Sequence, residues 1–182
     1  MTGSTPATPQ EFCQAGKDAF GEGEYAAAAE LFQKASDLYA SQSAPLDAAE
    51  MRNNRAVALL KAGQNTTAWE ALRGSDEIFA QAGDLRRQGM ALGNMGSALE
   101  ALKRNEEALL AYSRSADLLK QAGENELRAN VLRSISALQM KTGKQLEALA
   151  SMDAALSNEK RPSLKDRLLH KLLKIPFKMM NR

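Results

Sequence analysis

A forty-residue period constrains this chain more than any other feature. Shifting the sequence by forty places Ala28, Ala68, Ala108 and Ala148 in one column, invariant over four copies. A second column holds Gly16, Ala56, Gly96 and Ser136, and a third Ala35, Ser75, Ser115 and Ala155, so all three admit only small side chains. Four residues after each invariant Ala, and therefore on the same helical face, stands a bulkier residue: Phe32, Leu72, Tyr112 or Met152. Small set against large is what closely packed helices require. Gly23, Gly63 and Gly143, with Lys103 in the third copy, divide each copy in two, and Gly83 and Gly123 separate copies. Each copy thus predicts two antiparallel helices. One such pair cannot bury its apolar face alone, so near-copies stack and each covers the last.

Composition points the same way. The 182 residues suffice for one sizeable core, and 32 Ala and 25 Leu stand against 2 Val and 3 Ile, a surplus of helix formers over strand formers. An all-α chain is expected. No run approaches the ~18 to 20 apolar residues of a membrane span, and MTGSTPATPQ has neither the basic start nor the apolar stretch of a signal peptide, so a soluble, cytoplasmic protein is expected. Cys13, the only cysteine, excludes an internal disulfide and predicts a buried, reduced thiol. Thr8-Pro9-Gln10-Glu11 supplies an N-cap, a proline at the first helical position and a capping-box Glu, so helix is predicted to start near Pro9, after a disordered segment 1–8.

These columns resemble the tetratricopeptide repeat, over residues 9–158 in four units: 9–48, 49–88, 89–128 and 129–158. Two departures stand out: each unit is six residues longer than the usual 34, and the proline near the unit's end is absent. The spacing looks like the longer-repeat subclass of kinesin light chains, attachment proteins of vesicle fusion and polarity adaptors. The resemblance implies a right-handed α-solenoid of four helix pairs, here followed by a C-terminal amphipathic helix in 159–182. Arg52 and Arg55 fall in normally apolar columns, so the first helix of the second unit is expected to be shifted or partly exposed.

Catalytic chemistry is sparse. His170 is the only histidine and has no second ligand near it in sequence, so no metal set is read, and no triad or dyad can be built around it. Gly21-Glu22-Gly23 and Gly93-Asn94-Met95-Gly96 lack the spacing and trailing Lys-Ser/Thr of a phosphate loop. No enzyme, cofactor or small-molecule substrate is expected.

The resemblance also implies that the first helices line a concave groove, with positions 2, 5, 6 and 9 of each unit pointing into it. Those columns contain the candidate ligand residues Gln14, Lys17, Asn53, Asn54, Asn94, Asn130 and Arg133. Position 6 reads Gln14, Asn54, Asn94, Ser134. A file of amides, each both donor and acceptor, can satisfy an extended peptide backbone without selecting its side chains. The competing account is that these are simply the solvated faces of surface helices. The dicarboxylate clamp that holds chaperone tails is disfavoured, because its slots hold Cys13, Lys17, Asn54, Met90 and Asn94, of which only Asn54 fits. Trp69 is expected to pack between units rather than stand out as an anchor.

The tail breaks the charge balance. Residues 157–182 carry eight Lys/Arg and two Asp/Glu, whereas the first 156 residues carry 16 and 20. Between Ser163 and Pro176 a short helix is predicted, with Leu168, Leu169 and Leu172 on an apolar half and Lys171 and Lys174 on a basic one. Three roles compete: a cap over the last repeat, an anchor on an anionic membrane surface, or a partner-binding or nucleic-acid tail. Nucleic acid is not expected as a partner, because the body is acidic and no aromatic-and-basic surface pattern appears. The expected role is a non-catalytic scaffold holding a protein or peptide segment, the alternative a peripheral membrane adaptor targeted by its tail.

Overall fold

In the computed structural model, residues 8–158 are described, and they form nine helical segments. These are α1 (Pro9–Gly21), α2 (Tyr25–Ser41), α3 (Pro45–Lys61), α4 (Asn65–Leu72), α5 (Ser75–Gln81), α6 (Leu85–Ala101), α7 (Asn105–Gln121), α8 (Asn125–Lys141) and α9 (Gln145–Ser157). No strand occurs among the described residues. The molecule is an α-solenoid whose pairs run 9–41, 45–81, 85–121 and 125–157, so a frame opened at residue 49 cuts α3 inside its first turns.

Helix ends follow from local chemistry. The Thr8 hydroxyl accepts from the Glu11 N–H at 3.2 Å while Glu11 Oε2 accepts from the Thr8 N–H at 3.0 Å, a closed capping box over Pro9. Thr8 is therefore part of α1's cap, and the lead-in ends before it. At α3's C-terminus the Gly63 N–H donates to Leu60 O and the Gln64 N–H to Leu59 O, the two bonds that close a helix through a left-handed residue. The same pair forms around Lys103, at φ 64°, whose N–H donates to Glu100 O while the Arg104 N–H donates to Leu99 O, and around Ser43, at φ 57°, with Ser43 N–H to Ala40 O and Ala44 N–H to Tyr39 O. Ser43 thus fills the one junction between copies where no glycine marks a turn.

The predicted columns meet inside each pair. Ala28, Ala68, Ala108 and Ala148 are all 0% exposed. A Cβ added to Gly16 would lie 2.9 Å from the Phe32 ring, and one on Gly96 would lie 2.5 Å from the Tyr112 ring. In the fourth pair the small residue is Ser136, whose hydroxyl donates to Ala148 O at 2.7 Å. Two larger clusters continue this packing along the chain, one centred on Phe32, Met51, Leu59 and Leu72, the other on Leu99, Tyr112, Leu132 and Leu138. Trp69 packs against both, with Arg73 and Arg104 guanidinium groups 5.5 and 4.9 Å from its ring centre, which places it between units as expected.

Two details depart from the repeat. The second helix of the second pair is broken in two at Gly74, whose φ of 74° lies outside any helix, where Lys34 and Arg114 continue α2 and α7. Just beyond the break, Ser75 is fully buried with no hydrogen-bond partner, whereas its column mate Ser115 donates to Gly89 O at 2.6 Å. Of the two expectations for α3, the partial exposure is what occurs: Ala56 stays 0% exposed and the register is kept, while Arg52 and Arg55 are partly exposed at the edge of the face. Cys13 is half-buried against the first cluster rather than enclosed.

Candidate protein-binding groove

Beyond their own second helices, the first helices also touch one another, α3 against α6 and α6 against α8. In a curved stack the row whose members touch directly is the inner one, which makes α3, α6 and α8 the candidate inner surface.

Asn94 Nδ2 on α6 donates to Asn53 Oδ1 on α3 at 3.0 Å. Asn53 is only 7% exposed, so this bond satisfies a carbonyl that would otherwise be orphaned beneath the surface. Asn53 therefore works inside the wall, tying two units together, and Asn94 divides its polar atoms between that tie and the groove. Asn130 is exposed on α8 and accepts from Arg133 Nη1 at 3.3 Å. Gln14 is exposed at the other end, its Nε2 donating to Asp18 Oδ1 at 2.8 Å.

The candidates are not gathered in one place. A depression of about 220 Å³ between α6, α7 and α8 is lined by Met90, Asn94, Ser97, Tyr112, Asn130 and Ser134 among others, and no charged side chain lines it. A second, of about 260 Å³, lies between α1, α2 and α3 and is lined by Lys17, Phe20, Phe32, Asn54 and Val57. Lys17 and Asn54 thus belong to an apolar recess with one cation, Asn94 and Asn130 to an uncharged one in which amides and hydroxyls stand among Met90, Leu127 and Val131. Leu168, Leu169, Lys171, Leu172 and Lys174 lie outside the described residues.

One functional group escaped the sequence reading. The Tyr112 hydroxyl lies 3.1 Å from Ser97 Oγ and 3.3 Å from Glu100 Oε2 at the floor of the neutral depression. Burial pushes its pKa above the usual tyrosine value, which keeps it a neutral hydroxyl. The bulky column revealed the ring; only the geometry reveals what the hydroxyl touches.

Arg87 fixes the spacing of α3 and α6 from the side. Its backbone N–H donates to Asp84 Oδ1 at 2.8 Å and its Nε to Asp84 Oδ2 at 2.6 Å, while Nη1 reaches Glu50 Oε2 at 3.3 Å. The backbone bond from Arg87, then its guanidinium, hold the Asp84 carboxyl below the usual carboxylate range. No group of three His, Cys, Asp or Glu is placed to hold a metal among the described residues. None of the described helices is long and apolar enough to cross a membrane.

The sequence matches the family described as soluble NSF attachment protein over residues 7–174. The chain belongs to that family. It is a family named for attaching another protein, and it is one of the longer-repeat groups that the forty-residue spacing resembles. Membership in the soluble NSF attachment protein family accounts for the all-helical stack and supports protein binding as the class of role. Among curated proteins, none matches the sequence.

Proposed function

We propose that the chain is a non-catalytic scaffold that holds a segment of a partner protein along the inner row of first helices. The observation that carries this is the uncharged depression between α6 and α8, in which amides and hydroxyls from two successive units stand among apolar side chains such as Met90, Leu127 and Val131. Amides and hydroxyls offer donors and acceptors without charge, which suits the alternating N–H and C=O groups of a backbone. The family name supports a protein as the class of partner. The apolar recess beside Lys17 and Asn54 then takes a bulky side chain further along the same segment, with Lys17 favouring an acidic neighbour.

The test begins with a partner recovered from the native cell and purified. Asn54→Ala with Asn130→Ala removes one amide from each recess and spares the Asn53 to Asn94 tie. Two lost hydrogen bonds of about 1 kcal/mol each predict a fall in affinity of roughly tenfold or more at unchanged helicity. Wild-type affinity in the folded double variant would remove the groove from this account.

A further inference from the structure

The two recesses occupy the same place in the repeat, two units apart. Two periods after Lys17, Phe32 and Asn54 come Ser97, Tyr112 and Ser134, and all three line the second depression. Each recess has an aromatic ring in its wall, and each ring lies against a glycine. An added Cβ would come within 2.9 Å of the Phe32 ring at Gly16 and within 2.5 Å of the Tyr112 ring at Gly96. The unit between them carries Ala56 and Leu72 in those columns, so the pairing of glycine with a ring recurs only every second unit. Between the recesses the Asn53 to Asn94 bond ties α3 to α6.

Size and spacing then say what fits. At about 260 and about 220 Å³, both recesses are smaller than the roughly 300 to 1,000 Å³ of small-molecule clefts and suit one side chain each. Touching helices lie about 8 to 10 Å apart, so two units span about 16 to 20 Å. An extended chain, at about 3.3 Å per residue, covers that span in about five or six residues, and only the even number returns both side chains to one face. Charge marks one end: Lys17 is exposed at the first recess and no ion pair among the described residues includes it, while no charged side chain lines the second.

We infer that the partner segment is extended and carries two bulky apolar side chains about six residues apart, one for each recess, with a carboxylate beside the one that enters against Phe32. This rests on the groove proposal and adds the sequence pattern that the groove selects.

The test uses the full chain and fluorescent synthetic peptides of glycine and serine that carry one leucine, or two leucines about four to eight residues apart, with Glu or Lys beside either one. The peptide with Glu and the six-residue spacing is expected to bind about tenfold or more tighter than those with one leucine or the five-residue spacing. Lys17→Glu should reverse the preference from Glu to Lys. Ser134→Phe, which fills the second recess, should reduce the two-leucine peptide to the affinity of the one-leucine peptide. If Ser134→Phe does not fold, the spacing series on the wild type still decides. Equal affinity at all spacings would overturn the inference, as would no binding of any peptide by a protein that still binds its native partner. So would a preference for about eleven residues in an added peptide, the spacing that sets both leucines on one face of a helix over the same span. In each case the groove proposal stands or falls separately, on the native partner's affinity for the Asn54→Ala, Asn130→Ala variant.

Discussion

A methyl group on Gly96 would meet three Tyr112 ring atoms at 2.5 to 2.9 Å, so a change that helices normally favour should here be harmful. Gly to Ala within a helix gains about 1 kcal/mol from propensity, while overpacking a tight core costs about 1 to 3 kcal/mol. Gly96→Ala is expected to destabilise by up to roughly 2 kcal/mol in urea denaturation. The second pair already carries the alternative, Ala56 with Leu72 in one cluster. In a Tyr112→Leu background, therefore, Gly96→Ala should become neutral or stabilising; the same loss in both backgrounds would mean the ring is not what excludes the methyl. The serines offer a second contrast. Ser75→Ala removes a buried hydroxyl that has no partner and matches Ala35 and Ala155 in its column, so it should be neutral or slightly stabilising. Ser115→Ala breaks the 2.6 Å bond to Gly89 O and should cost about 1 kcal/mol. Equal effects from the two would contradict the hydrogen-bond assignment. Such columns were legible in the sequence because a helix pair in contact leaves room for only one large side chain per level, and four copies repeat the constraint.

At the scale of elements, the helix pairs and most of their turns were legible, and the break at Gly74 was not. A lone glycine inside a helix costs only about 1 kcal/mol and is commonly tolerated, so it does not announce a left-handed turn. The signal, in retrospect, is that the same column holds Lys34 and Arg114, both good helix formers. The start of α6 carries a pH-dependent term. Asp84 titrates below its unfolded value of about 3.9, so its contribution to stability is present above that pH and is lost as pH falls through the folded value. Asp84→Asn should be less stable than wild type near neutrality, with the gap in melting temperature narrowing as pH drops below about 4. A gap of constant size down to pH 2 would mean that the carboxylate's charge plays no part in holding Arg87.

For the molecule as a whole, the solenoid follows from stacking: units with one apolar face each have to cover one another. The candidate groove was legible only as a set of columns. What the columns could not show is that Asn53 and Asn94, forty-one residues apart, bond to each other across α3 and α6. Nor could they show that Lys17 and Asn130 belong to different recesses. Both facts depend on the rotation between neighbouring units, which a period states only in sequence. The central claim is that partners bind the inner row of helices, and site-specific photo-crosslinking tests it most directly. A photoreactive residue in place of Ser134, in the neutral depression, is compared with one in place of Leu110, which is 64% exposed on α7. The account predicts partner adducts from position 134 and none from position 110. Adducts from position 110 alone would place the binding surface on the opposite side of the solenoid and contradict it.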